Sequence, residues 1–253
     1  MTICLAEASG AMEALRRDAY VADMPLVCRS CAVRDDGICG AMTDGQLSDL
    51  CRHTTRRKID HGSELLSQGE RILSYANILK GVVKLTKRMS DGRQQIVGLQ
   101  FAPNFIGRPF ADESALTAEA ATDIEICAVS KPALDNMMIH APDLGHRLHR
   151  QALVELDEAR DWMLTLGRKT AREKVASFLH LIATHSTRDG RGTLRFELPL
   201  SRQDIGDFLG LTIETVSRQI TKLKRENVIR IENSRNVTIH DLHRLADVAG
   251  VDC

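Results

Sequence analysis

The segment SRQDIGDFLGLTIETVSRQITKLKREN, residues 201–227, constrains the fold more than any other part of this 253-residue chain. Apolar residues recur in it at helical spacing, at Ile205, Leu209, Leu211 and Val216. Gly206 allows two helices to approach closely, and Gly210 can adopt the positive φ of a turn at low cost. The segment therefore predicts two helices that are joined by a tight turn at Gly210.

The second of these helices carries side chains that suit DNA bases. Thr212 is placed to cap it, with Thr215 in its first turn. Glu214, Ser217 and Arg218 lie at positions i, i+3 and i+4 and therefore share one face. Arginine suits guanine, glutamate suits the cytosine amino group, and serine suits either kind of base edge. Basic residues suited to DNA phosphates follow at Lys222, Lys224 and Arg225.

The surrounding sequence favours DNA binding over the alternative, an ordinary helix pair with a solvated polar face. Residues 168–240 contain 14 Lys/Arg and 8 Asp/Glu, although the whole chain has 34 of each. A basic region in a neutral chain is typical of a part that binds a polyanion. The stretch VIRIENSRNVTIH predicts a hairpin turning at Asn233–Ser234, which makes the element a winged helix–turn–helix.

The middle of the chain has the pattern of an antiparallel β structure. From about residue 45 to residue 140, short apolar runs are punctuated by glycine. The runs ILKGVVKLTKR and RQQIVGLQF predict a hairpin that turns at Asp91–Gly92, and TDIEICAVS predicts a later strand. Several such strands in series indicate a small antiparallel barrel or sandwich.

A helix is expected next, from about residue 143 to residue 169, starting near Pro142–Asp143 with the proline at an entry position. It carries a heptad seam at Ala152, Leu156, Ala159, Met163 and Leu166. The spacing fits a dimer interface and a packing surface on the same chain equally well. Acidic residues crowd the seam at Glu155, Asp157, Glu158 and Asp161. A dimer interface here would therefore be marginal, and a marginal interface can be switched.

The N-terminal stretch CRSCAVRDDGIC places Cys28, Cys31 and Cys39 within twelve residues. The chain shows neither a secretory signal nor an apolar run of about 18 residues, so no membrane span is expected. A cytoplasmic location follows, where thiols stay reduced. Seven cysteines are an odd number, which argues against a disulfide framework. The clustered ones indicate a metal or redox site.

The fourth ligand of such a metal site is left open by the spacing. A structural zinc needs a nearby fourth ligand, for which the candidates are Cys51, His53 and His61. An iron–sulfur cluster needs four thiolates and tolerates a distant fourth one. Cys127 lies on the strand face opposite Ile124 and Ile126, so it is either available to such a group or a buried inert thiol. Spacing favours a cluster over zinc.

The other cysteines are expected to be ordinary terminal or core thiols, at Cys4, Cys51 and Cys253.

Together these features resemble the CRP/FNR family of transcription regulators, and within it the oxygen-sensing FNR branch. The resemblance covers residues 25–248, and it rests on the cysteine set and on ETVSRQ. The seven-residue gap before Cys39 is similar to the FnrL/FnrN type. The resemblance to this family implies an α+β chain with an N-terminal antiparallel β-roll sensor domain, a jelly roll like that of cyclic-nucleotide-binding domains. The implied parts are a cysteine-bearing segment 1–44, the β-roll 45–142, a dimerisation helix 143–170 and a winged helix–turn–helix DNA-binding domain 171–253.

The resemblance also implies how such a chain works. A [4Fe–4S] cluster would be carried by Cys28, Cys31, Cys39 and Cys127, and it would fasten the N-terminal segment to the barrel. The homodimer would bind double-stranded DNA at palindromes such as TTGAT-N4-ATCAA, read by Glu214, Ser217 and Arg218. Oxygen would convert the cluster to a smaller form, loosen the dimer and end DNA binding, which would control anaerobic gene expression. RNA polymerase would contact exposed loops such as the turn at residues 90–92. Ile38 would either shield the cluster or serve as a packing anchor.

Two other functions are not expected. Cyclic-nucleotide binders of the wider family carry a Gly-Glu segment followed by Arg-Ser/Thr-Ala, but here Arg108 precedes Pro109, which lacks a backbone donor. A CxxC thiol–disulfide enzyme usually has a βαβ context, which this sequence lacks, and no nucleophile–base pair is evident. A related regulator with structural zinc, or with haem bound through a histidine such as His61, remains as the alternative.

Overall fold

The structure, a computed structural model, describes residues 26–186 and 193–251. Cys4 and Cys253 lie outside these residues. The N-terminal part begins with helix α1 (Leu26–Arg29), a 3-10 turn (Ile38–Ala41) and helix α2 (Asp44–Cys51). The strands that follow are β1 (Thr54–Ile59), β2 (Glu64–Leu66), β3 (Ser74–Lys80), β4 (Val82–Arg88), β5 (Gln94–Phe101), β6 (Phe105–Ile106), β7 (Thr117–Ala120) and β8 (Ile124–Ser130).

The C-terminal part is mostly helical. Its elements are α3 (Lys131–His140), α4 (Pro142–Arg168), α5 (Ala171–Thr184), β9 (Leu194–Glu197), α6 (Arg202–Leu209), α7 (Ile213–Arg225), β10 (Arg230–Glu232), β11 (Asn236–Ile239) and α8 (Leu242–Ala249). None of the helices in the described ranges has the length and the apolar character that a membrane span requires.

Two four-stranded sheets form the predicted β structure, with strand orders β1-β8-β3-β6 and β2-β7-β4-β5. The hairpin predicted at Asp91–Gly92 is present as β4 and β5, and Gly92 has a positive φ of 87°. The prediction of an antiparallel barrel or sandwich is thus confirmed. The fold of this β-stranded part of the chain is a β-roll.

The central pair of strands, β3 and β8, presents two different faces. Ile78 pairs with Ile126, and both are buried in the roll. On the other face, Tyr75 pairs with Val129 and Asn77 pairs with Cys127. Val129 is buried as well, because the segment that contains the 3-10 turn and α2 packs over this face.

The chain divides into two compact units, and their limits do not coincide with the boundaries of the four parts predicted from the sequence. Unit 1 comprises Met1–Val83 and Gln100–Leu153, and unit 2 comprises Lys84–Leu99 and Val154–Cys253. The predicted segment 1–44 contains helix α1 and the 3-10 turn, and α2 begins at its edge. Helix α4 is continuous across the division between the units. The four predicted boundaries stay predictions.

The winged helix–turn–helix in unit 2 forms as predicted. Gly210 ends α6 with a φ of 63°, and the Thr212 side chain caps α7 by accepting a hydrogen bond from the Thr215 amide. A Cβ on Gly206 would lie only 2.6 Å from the carbonyl oxygen of Leu211, so glycine is required for the close approach. The wing is a three-stranded sheet of order β10-β11-β9.

Contacts within unit 2 hold helix α6 from two sides. The ring of Trp162 on α4 lies 4.5 Å from the ring of Phe208 on α6, measured between centroids. From the β4–β5 hairpin, Lys84 Nζ lies 3.0 Å from Asp204 Oδ1, and Gln95 donates to the carbonyl oxygen of Phe208. The lysine and the aspartate are mostly buried, which strengthens their attraction relative to an exposed pair.

Candidate functional site

Four cysteines line one small cavity of about 30 Å³ in unit 1. Cys28 is on α1, Cys31 follows that helix, Cys39 lies in the 3-10 turn, and Cys127 is on β8. The other lining residues are Val33, Arg34, Leu47, Asn77 and Leu79. The structure thus brings together the four cysteines that the family resemblance implied as ligands. Their role as ligands stays a prediction.

The thiols of the cavity affect one another electrostatically. Burial raises the pKa of Cys39 to about 12, and the neighbouring Cys127, Cys31 and Cys28 add to this shift. Burial also raises the pKa of Cys127. Cys39 and Cys127 are therefore protonated at neutral pH, and a bound cationic centre would be needed to hold them as thiolates.

Asn77 connects the cavity to the sheet beneath it. Its side chain is 7% exposed, and Nδ2 donates a hydrogen bond of 3.9 Å to the Cys39 sulfur. Its Oδ1 is buried and has no hydrogen-bond partner in the described part of the chain. Four thiols, an amide donor to sulfur and apolar walls suit a thiolate-ligated metal cluster. In their donor chemistry, the residues that line the cavity thus fit the group that the resemblance implies.

The loop that carries Cys39 is fastened to helix α4. Ile38 is 1% exposed and packs in a core that includes Tyr75 and Leu144. The Arg147 guanidinium donates to the carbonyl oxygens of Asp35 (3.1 Å) and Asp36. Ile38 does not line the cysteine cavity, so its place favours the packing alternative, and cluster shielding by Ile38 stays a prediction.

Gly40 follows Cys39 at a point where only glycine fits. A Cβ there would lie 2.2 Å from the carbonyl oxygen of Asp35, a backbone atom that cannot move independently. We therefore expect Gly40→Ala to displace the Cys39 loop at a cost of about 1–3 kcal/mol. The measurement is alkylation of Cys39 in the metal-free chain, followed by mass spectrometry, and the reaction should be faster in the variant.

Gly37→Ala is the matched control for this experiment. A Cβ at Gly37 would lie 3.1 Å from the carbonyl oxygen of Val33, which requires a much smaller adjustment. The alkylation rate of Cys39 should rise less in Gly37→Ala than in Gly40→Ala. Equal rates in the two variants would mean that Gly40 does not hold the loop.

Cys51, expected to be an ordinary core thiol, is buried at the end of α2 and also touches the cysteine site. Its side chain is hydrogen-bonded to Cys28, and burial followed by this bond raises its pKa. Cys28 and Cys39 pack against the small cluster of Leu47 and Cys51. The capping box of Thr43 and Gln46 could have revealed α2 from the sequence. The contact with Cys28 could not have been found, because it depends on tertiary packing.

The histidines proposed for zinc or haem lie elsewhere. His53 lines a different surface cavity of about 270 Å³ together with His140. His61 is exposed in the turn after β1, where its amide donates to Asp123. Within residues 26–186 and 193–251, no three His, Cys, Asp or Glu side chains are arranged to hold a single metal ion.

Helix α7 exposes the side chains predicted to read DNA. Glu214, Ser217 and Arg218 are exposed, whereas the residues of its inner face are buried, at Val216, Ile220 and Leu223. Hydrogen bonds with the Glu214 backbone amide and with the Thr212 hydroxyl hold the pKa of the Glu214 side chain below its usual value. Thr212 is exposed, whereas Thr215 is half-buried with its hydroxyl bonded to that of Thr212. Lys222 is exposed one turn beyond Arg218, so an uninterrupted polar face is available to a partner.

The predicted seam of α4 is largely uncovered. Ala152, Leu156, Ala159 and Met163 are exposed, with 45% of Leu156 and 72% of Met163 accessible. Leu166 is half-buried. The described part of the chain therefore does not pack over most of the seam, which disfavours the alternative of packing on its own chain.

The turn considered for contact with RNA polymerase and the loop considered for cyclic-nucleotide binding are both exposed. The Asp91–Gly92 turn is at the tip of the β4–β5 hairpin, where Asp91 pairs with Arg93 at 2.8 Å. Phe110, two residues after Arg108, has a φ of 66° and is 79% exposed. Contact with RNA polymerase and the absence of a bound cyclic nucleotide both stay predictions.

Comparison with known proteins agrees with this architecture. Residues 173–248 match the Crp-like helix-turn-helix domain, and residues 56–140 match the cyclic nucleotide-binding domain. A probable transcriptional activator from Rhizobium leguminosarum bv. viciae is 56% identical over 234 residues, which are 92% of this chain and 98% of the relative. The transcriptional activator protein FnrL from Cereibacter sphaeroides is 40% identical over 229 residues, 89% of this chain and 92% of the relative.

Among solved structures, FixK2 from Bradyrhizobium japonicum is similar, with a TM-score of 0.72 and 30% identity. The match covers 79% of this chain and 99% of FixK2. The fold, the two domain matches and the length of the similarity lead to one conclusion. The chain is a DNA-binding transcription regulator, not an enzyme, and it belongs to the CRP/FNR family.

Proposed function

We propose that this chain is an oxygen-responsive transcriptional activator whose DNA binding depends on a [4Fe–4S] cluster. The cluster would be held by Cys28, Cys31, Cys39 and Cys127. The observation that carries the proposal is the common cavity of these four thiols, three from the N-terminal segment and one from strand β8. When bound, the cluster would supply iron–thiolate bonds that oxygen can break.

The chain's own residues provide a route from this cavity to helix α4. The loop between Cys31 and Cys39 is bonded to Arg147, and Ile38 packs in one core with Leu144. Fixing Cys39 against Cys127 therefore also fixes the surface against which the first turns of α4 pack. A loop that is not fixed loses these contacts, and the helix loses part of its support.

Helix α4 would pass this change to the dimer through its exposed seam. Burying apolar side chains such as Leu156 and Met163 against a second copy would stabilise a homodimer. The nearby acids, including Asp157 and Glu158, oppose that association. Because the balance is close, a difference of a few kcal/mol would shift the population substantially.

Arg147→Ala should separate the loop from the helix without removing a cysteine. The two carbonyl contacts of the guanidinium would be lost, at a cost of about 1–3 kcal/mol for charge-assisted hydrogen bonds. We expect normal iron uptake but a weaker dimer, measured anaerobically by sedimentation at several protein concentrations.

Arg150→Ala is the matched control, because Arg150 is an exposed arginine on the same helix. Its dimer dissociation constant should remain close to that of the unmodified chain. A dimer that is equally weak in both variants would show that the Arg147 contacts to the loop are not the link.

A dimer would present two copies of α7 to half-sites about 34 Å apart. Glu214, Ser217 and Arg218 would read base edges in sites such as TTGAT-N4-ATCAA, and Lys222 would contact phosphate. The names of the relatives from Rhizobium leguminosarum and Cereibacter sphaeroides support activation of transcription. Activation requires a contact with RNA polymerase, for which the exposed Asp91–Gly92 turn is one candidate.

The experiment that tests this function is a DNA-binding titration with and without air. Protein prepared without oxygen should bind the palindrome at least about 10³-fold more tightly than scrambled DNA. After exposure to air, this preference should disappear. Equal specific binding before and after air would rule out oxygen control. It would favour a regulator of the same family that responds to another signal.

A further inference from the structure

Cys51 and Cys28 form a thiol pair next to the proposed cluster site. Their side chains are hydrogen-bonded and belong to one small apolar cluster with Leu47. Five cysteines lie in the described ranges, and Cys51 is the one that does not line the cavity of the other four. Cys51 therefore touches a proposed ligand without being part of the ligand set.

The two thiols differ in access and in support. Cys51 is 5% exposed at the end of α2, a helix fixed by the Thr43 capping box and by the buried side chain of Leu50. Cys28 is only partly buried, on the four-residue helix α1. A small reagent from solvent therefore reaches Cys28 first, while Cys51 stays at close range behind it.

We propose that Cys28 and Cys51 form a reversible disulfide when no metal group holds Cys28, with a low-molecular-weight disulfide as the oxidant. The Cys28 sulfur attacks this disulfide, forms a mixed disulfide and releases one small thiol. The Cys51 sulfur then attacks the Cys28 sulfur, forms the intramolecular bond and releases the second small thiol. Two protein thiols are oxidised, one small disulfide is reduced, and the two protons end on the released thiols.

This link would make Cys28 unavailable as a ligand. Its regulatory consequence rests on the proposed function: a chain that loses its cluster under oxidising conditions could not rebuild it until a thiol reductant opens the link. The formation of the link itself does not require the cluster. The two ideas can therefore be tested separately.

The test uses the full-length, metal-free chain treated with oxidised glutathione, then alkylated and digested with trypsin. Cleavage after arginine gives one peptide, 18–29, with Cys28 and another, 35–52, with Cys39 and Cys51, so fragmentation must locate the link. We expect a Cys28–Cys51 link in the unmodified chain and in Cys39→Ser. In Cys51→Ala we expect a lasting glutathione adduct on Cys28, because the second thiol is missing.

A lasting adduct on Cys28 in the unmodified chain, or a link from Cys28 to Cys31 or Cys39, would overturn the proposal. The adduct on Cys51→Ala also shows that Cys28 stays reactive in that variant, so the missing link there is due to the missing second thiol. Iron and sulfide uptake by the fully reduced chain separates the two hypotheses. Uptake without any Cys28–Cys51 link contradicts only this inference, whereas a link without uptake contradicts only the proposed function.

Discussion

Cys127→Ser is expected to abolish both the cluster and specific DNA binding without oxygen. Cys127 is the one proposed ligand that lies on the β-roll, and the other three lie on the segment packed against it. Its loss would leave that segment without a metal bond to strand β8. The affinity for the palindrome should fall on the order of 10³-fold or more, toward nonspecific binding. Anaerobic titration of labelled DNA, together with iron analysis of the same sample, measures both effects.

Cys51→Ala is the control for this experiment, because Cys51 is buried beside the site but is not in the proposed ligand set. In the presence of reductant it should retain iron and specific binding. Undiminished DNA binding by Cys127→Ser would contradict the proposal that the segment must be fastened to β8. Loss of iron in Cys51→Ala would instead place Cys51 among the ligands.

Arg218→Ala is expected to relax the reading of one base pair in each half-site. Arg218 is exposed on α7, and within the described residues its side chain makes no ion pair, so it is available to a guanine edge. The cost should be about 1–3 kcal/mol per half-site at the preferred sequence, and less at sequences that lack that guanine. Binding to a set of palindromes with single symmetric base changes measures the difference.

Arg225→Ala is the matched control, since Arg225 is an exposed arginine in the last turn of the same helix. A phosphate contact there would weaken binding to all sequences by a similar factor and reduce the salt dependence. If Arg218→Ala behaves in this same uniform way, Arg218 contacts phosphate and does not read a base.

The sequence predicted the DNA-binding part in detail because its signals are local. The spacing of Ile205, Leu209 and Val216, the turn at Gly210 and the cap at Thr212 all lie within a dozen residues. Local signals of this kind determine where a helix begins and ends. The hairpin at Asn233–Ser234 was predictable for the same reason, and both residues have a positive φ.

The cysteine site was only partly predictable, because it depends on pairing between distant residues. That Cys127 lies opposite Asn77 follows from the register of β3 and β8, which no local pattern encodes. The contact of Cys51 with Cys28 depends on how α2 packs, and the Arg147 contacts depend on where α4 starts. Spacing could identify Cys28, Cys31 and Cys39 as candidate ligands, but it left open the fourth ligand and the residues that surround the site.

The most direct test of the central claim is the iron and sulfide content of the protein purified without oxygen, measured together with its visible spectrum. The proposal predicts a brown protein with about four iron and four sulfide per chain, which bleaches in air. A colourless protein that contains zinc and no sulfide would contradict it. In that case the four thiols around the cavity would have a structural role, and a response to oxygen through an iron–sulfur cluster would be excluded.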